Sequence, residues 1–164
     1  QGNGWTLSVT SPAMFIFQTQ GVTPRNYANN VSNIIYAPGA AVDKVNANLK
    51  IPNKWVTDGI EVFSSAYTTK NAKRLPAEID GGSVLLTYQL GHTLYRNVDK
   101  EETEKLPENK GKLVYGYSMG VSTGDPSGID AEASIKNGAH IIYMDTNNST
   151  NDFHERKAFS IKGK

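Results

Sequence analysis

Apolar and polar residues alternate with a period of two near the start of the chain. Trp5, Leu7 and Val9 interleave with Thr6, Ser8 and Thr10, the pattern of a strand with one buried face. Pro12 interrupts it. The uniformly apolar run Met14-Phe15-Ile16-Phe17, within Ala13 to Gln18, predicts a second strand covered on both faces. Residues 21 to 33 read as a long polar connection. Further strands are expected at Asn33 to Ala37, Val45 to Ile51, Gly59 to Tyr67, Ser83 to Leu90, Thr93 to Val98, Lys112 to Val121, Ala139 to Asp145 and Ala158 to Lys162. Turn-forming groups separate them, among them Ala37-Pro38-Gly39, Asp80-Gly81-Gly82 and residues 124 to 128. Asn137-Gly138, set between two apolar segments, reads as the turn of a tight hairpin, because a type I′ turn needs positive φ at both central residues. Helical spacing is confined to Asp99 to Leu106, where Glu101 and Lys105 stand at i and i+4 and Pro107 closes the segment.

Short strands separated by turns predict an all-β fold, an immunoglobulin-like β-sandwich of roughly 7–10 strands that strand addition would complete. Residues 1–20 are expected to form an N-terminal extension or the first strands, with residues 21–164 as a single sandwich domain. A length of 164 residues suits that organisation. The N-terminal glutamine, Gln1, reads as the start of a mature exported form, which places the chain outside the cell or on its surface.

Charge changes the picture in two ways. The net balance is +1, from 17 basic and 16 acidic side chains, so the field needed to hold a nucleic-acid backbone is missing. The distribution is also uneven: Arg25 is the only charged residue before Asp43, whereas Arg96 to Lys112 is densely charged. The uncharged first segment is expected to lie against protein. No apolar run approaches the roughly 18 residues of a membrane span, so membrane insertion is not expected. The sequence has no cysteine, which excludes disulfides, thiolate chemistry and Cys-ligated metal.

Candidate chemistry is sparse. Gly116-Tyr117-Ser118-Met119-Gly120 matches the G-x-S-x-G nucleophile elbow. An elbow must lead into a helix, whereas the pattern here continues as strand and turn, so Ser118 reads as non-catalytic and no enzymatic activity is expected. Asp145 to Asp152 places oxygen-bearing side chains as a calcium loop would, but Thr150 stands where an EF-hand requires glycine and Arg156 where it requires glutamate. A polar turn is the expectation. His92, His140 and His154 lack metal-ligand spacing, and no phosphate-cradling motif occurs. Neither metal nor cofactor is therefore expected. Aromatic faces beside amide side chains suit sugar recognition, and Trp55, Asn147, Asn148 and Asn151 are the candidate ligand contacts.

The segment Trp5 to Pro12 resembles the donor strand of cysteine-free subunits of chaperone–usher fimbriae. The resemblance implies an incomplete immunoglobulin-like sandwich completed by its neighbour, with Trp5, Leu7 and Val9 as the inserting side chains. It further implies like subunits as partners, a periplasmic chaperone, and a host glycan or protein as receptor. The leading expectation is thus an exported structural or adhesive surface subunit assembling by strand addition. The alternatives are a self-contained, lectin-like carbohydrate-binding sandwich and, third, a hydrolase around Ser118.

Overall fold

Backbone polar groups that leave water must find partners, and in this chain buried side chains supply many of them where regular ladders do not. The computed structural model describes residues 13–66, 72–87, 92–116 and 124–157. The expected inserting strand at Trp5, Leu7 and Val9, the elbow serine Ser118 and the strand expected from Ala158 lie outside the described residues. What is described is a β-rich fold of seven strands in small sheets, with a few short helices. The chain divides into two compact units, one of residues 15–59 and the other built from residue 60 onward with the segment before residue 15.

The smaller unit contains most of strand β1 (Ala13–Phe17), helix α1 (Pro24–Asn29), the short antiparallel pair β2 (Ile34–Ile35) and β3 (Asn48–Leu49), and the start of β4 (Val56–Ser64). Helix α1 begins at Thr23, whose hydroxyl accepts from Asn26 N–H at 3.2 Å, with Pro24 in the first turn. Both are ordinary helix-start signals. The region read as a polar connection is therefore helical in part. Trp55 is buried against Tyr27, with ring centroids 4.5 Å apart in an edge-on arrangement. Tyr27 donates its hydroxyl to Lys50 O at 2.7 Å. β1 borders β4, and Gln18 N–H continues the contact to Trp55 O at 2.9 Å.

The larger unit holds β5 (Val84–Leu86), which pairs with β4 in parallel: Val62, Phe63 and Ser64 face Val84, Leu85 and Leu86. A parallel pair departs from the antiparallel sheets of an immunoglobulin-like sandwich. β6 (Thr93–Arg96) and β7 (Phe153–Arg156) form an antiparallel ribbon in which Tyr95 faces His154 and Thr93 faces Arg156. The core is small: Val98, Ile129, Ala131, Ala139 and Ile141, with Leu113 against them.

Helix α2 (Lys100–Lys105) forms inside the expected segment, capped by Asp99 and carrying a Glu101–Lys105 ion pair of 2.8 Å. Helix is not confined to that segment, since α3 (Ala131–Lys136) and α4 (Ser149–Asp152) add to it. The Asn137-Gly138 hairpin is also corrected. Gly138 has φ +79°, but it ends α3: Gly138 N–H reaches Ile135 O and Ala139 N–H reaches Ser134 O, both at 2.9 Å. That pair of bonds is a Schellman cap, which needs a left-handed residue as much as a hairpin turn does.

Candidate functional site

Two features of the surface and interior stand apart from ordinary packing. The first is β1. Successive residues of a strand face opposite sides, so Met14 and Ile16 share one face while Phe15 and Phe17 share the other, with their rings 6.1 Å apart. All four are exposed, from 39% at Phe17 to 64% at Ile16. The expectation that both faces would be covered is reversed among the described residues. β4 is the only strand beside β1 among the described residues.

The second feature is a buried polar cluster around the β6–β7 ribbon. His154 sits opposite Tyr95, its Nδ1 2.6 Å from Asn97 Oδ1 and its Nε2 accepting from Arg156 Nε at 2.9 Å. An amide oxygen only accepts and a guanidinium only donates, so the partners assign the neutral ring with its proton on Nδ1. Burial pushes the His154 pKa down, and Arg156 adds to this, against the opposing influence of Asp125 and Glu132. Arg156 is itself 2% exposed. It pairs with Glu132 at 2.8 Å and lies over the Tyr95 ring at 3.7 Å. Asn97 binds the far end of the same cluster, donating from Nδ2 to Asn151 O at 2.6 Å.

Beside the ribbon, a cavity of about 370 Å³ is lined by Thr87, His92, His154, Glu155 and Lys157, with Pro126 as an apolar wall. His92 meets Glu155 through Nδ1, and the same carboxylate oxygen accepts from Thr87 N–H at 3.2 Å. Sequence reading found no metal-ligand spacing for His92 and gave no signal that His92 and Glu155, 63 residues apart, would meet.

A separate buried cluster, around Asp80, is structural. Asp80, fully buried, accepts from Gly82 N–H and Ser149 N–H at 2.9 Å, from Ser149 Oγ at 2.8 Å and from Glu61 N–H at 3.2 Å. Burial alone would raise its pKa, but these bonds outweigh it and hold the carboxyl below its ordinary value. Glu61, equally buried, binds Arg74 N–H at 2.6 Å and the Lys73 ammonium at 2.7 Å.

Of the glycan contacts expected from the sequence, Asn147, Asn148 and Asn151 lie together at the start of α4 in the larger unit, and Trp55 belongs to the smaller one. Trp55 is 7% exposed inside the smaller unit, so its ring faces are unavailable for stacking. Asn148 instead caps α4, accepting from Thr150 N–H at 3.1 Å, and Asn147 adopts φ +52° in the preceding turn. Asn151 packs beside it through its backbone. The Asp145 to Asp152 loop is closed on itself: Asp152 accepts from Thr146 N–H at 2.9 Å and from Thr146 Oγ1 at 2.8 Å. No group of metal-binding side chains occurs among the described residues, and no described helix is long and apolar enough to cross a membrane.

Comparison with known proteins adds the family. Residues 1–160 match the family described as a protein of unknown function (DUF4876). The chain belongs to the DUF4876 family. The structure is similar to the crystal structure of a DUF4876 family protein from Bacteroides thetaiotaomicron VPI-5482, with a TM-score of 0.52 and 25% sequence identity over 90% of this chain. It spans 31% of that protein's length. No curated protein matches. DUF4876 membership overturns the resemblance to chaperone–usher fimbriae, which rested on a single alternating strand that any amphipathic segment satisfies.

Proposed function

We propose that the chain is a non-catalytic structural module of an exported assembly, which docks further polypeptide along β1. The observation that carries the reading is the run of four exposed apolar side chains, Met14 to Phe17, on a strand bordered by β4. An uncovered strand edge is a template for another strand, and natural proteins usually blunt such edges with charge or proline. β1 carries no charge. Covering four half-exposed side chains is worth on the order of 1 kcal/mol each before ordering costs. Strand addition would add backbone hydrogen bonds to that and enlarge the sheet toward one layer of the immunoglobulin-like form that the strand spacing suggested. The length of the related DUF4876 protein, of which this chain matches 31%, supports further polypeptide as the occupant.

Sedimentation velocity over a range of concentrations tests the reading. With the natural occupant absent, β1 is expected to pair with a second copy, and Ile16→Lys combined with Phe15→Ser is expected to restore the monomer at unchanged melting temperature. A wild type that is monomeric throughout, with sedimentation identical to the variant, would overturn it.

A further inference from the structure

We propose that the cavity beside the β6–β7 ribbon is a binding site for a small hydroxylated monocarboxylate, held between His92 and Lys157. Its volume of about 370 Å³ is at the lower end of the range of small-molecule sites.

Glu155, a carboxylate that only accepts, assigns the proton of His92 to Nδ1. In the neutral ring the other nitrogen, Nε2, then carries a lone pair, and Glu155 is the hydrogen-bond partner of His92 among the described residues. The His92 side chain is 12% exposed and lines the cavity. A carboxylate that fixes one imidazole nitrogen orients the other for a ligand. Thr87 N–H holds Glu155 in turn, so the acceptor is set by three chain segments. His154 lines the same cavity but is spent, since Asn97 and Arg156 occupy its two nitrogens.

His92 therefore asks for a hydroxyl donor. Lys157, exposed at the cavity edge, supplies one positive charge and engages no ion pair among the described residues. One ammonium beside one carboxylate suits a singly charged anion, because a dianion would face Glu155 with half its charge unmatched. Pro126 offers an apolar wall to a carbon skeleton. Hydroxyl, single negative charge and short carbon body together describe a hydroxy acid.

Gluconate is the probe. Titrated into the chain and followed by long-range ¹H–¹⁵N spectra of the histidine side chains, it is expected to give a saturable shift at His92 Nε2 with the His154 signals little changed. Lys157→Ala and His92→Gln are each expected to weaken binding at least about tenfold, the usual size of one lost charge-assisted or oriented hydrogen bond at such a site. Lys157 is exposed, so its variant keeps the test valid should His92→Gln unfold. Glucose supplies hydroxyls without charge and acetate charge without a hydroxyl, and both are expected to bind at least about tenfold more weakly than gluconate. No shift at His92, equal binding by Lys157→Ala, or equal shifts from glucose and acetate would each overturn the assignment.

Discussion

His154 shows how much one residue's surroundings determine. Its two partners permit only the neutral ring, because a proton on Nε2 would face the Arg156 N–H, donor against donor. The unfolded chain therefore binds this proton more readily than the folded one. The resulting stability is fully present above the ordinary histidine pKa of 6.5 and is lost as pH falls from there toward the lowered folded value. His154→Gln keeps one donor for Asn97 and one acceptor for Arg156 but cannot titrate. Urea midpoints measured between pH 7.5 and 5 should fall less steeply for this variant than for the wild type; parallel slopes would remove His154 as the source. Asp80 carries the opposite group chemistry with a related outcome. Its lowered pKa contributes stability above the unfolded value of 3.8 that disappears as pH falls through the folded one. Asp80→Ala would strand the donors of Ser149, Gly82 and Glu61 and leave Lys73 with Glu61 alone. A loss of about 3 to 5 kcal/mol in equilibrium unfolding is expected, the range for breaking a buried charged network. A loss below about 1 kcal/mol would mean that water replaces the carboxylate.

Among the elements, β4, β5 and β6 were legible because their apolar residues carry the signal directly, as in Ile60-Glu61-Val62-Phe63. β7 was not. Phe153-His154-Glu155-Arg156 puts the polar His154 and Arg156 on the buried side and leaves its one apolar member, Phe153, on the other, and an alternation read from hydrophobicity inverts such a strand. α3 was hidden by Asn137-Gly138, because positive φ marks a helix end and a hairpin turn alike. α1 carried its Thr23-Pro24 start openly, but its six residues bury no apolar face and so leave no periodicity to read. The His92–Glu155 pair of the proposed ligand site had no local signature at all, since the antiparallel β6–β7 ribbon alone brings the two segments together. Two substitutions test the local geometry. Gly138→Ala should cost about 1 kcal/mol, the penalty of a Cβ in the left-handed region. Gly82→Ala should cost more, because its Cβ would lie 2.8 Å from Thr150 N and against Asn148 Oδ1. Thermal unfolding that ranks the two in the reverse order would show that the turn at Asp80 to Gly82 can withdraw from α4.

For the whole molecule, order depends on segments far apart in sequence. Val98 N–H is satisfied by Asp125, His140 N–H by Asn109 and Val114 N–H by Ser134. Each of these buried side chains does for a distant backbone group what a neighbouring strand does in a regular sheet. Sequence patterns report neighbours along the chain, which is why the sheets were expected to be more regular than they are. The Asp80–Ser149 contact spans 69 residues, and it carries a kinetic consequence. Neither partner gains anything until the intervening chain has been brought round, and the entropy of that closure is spent before the buried bonds return it. The larger unit should accordingly refold in milliseconds to seconds, as chains rich in non-local contacts do, and a full-amplitude microsecond phase in temperature-jump fluorescence would contradict this. Until the larger unit closes, the four apolar side chains of Met14 to Phe17 add to the apolar surface that its unfolded segments leave open to other chains. Yield on refolding should therefore fall with protein concentration more steeply than native stability alone would require, and a charge placed on β1 should recover it.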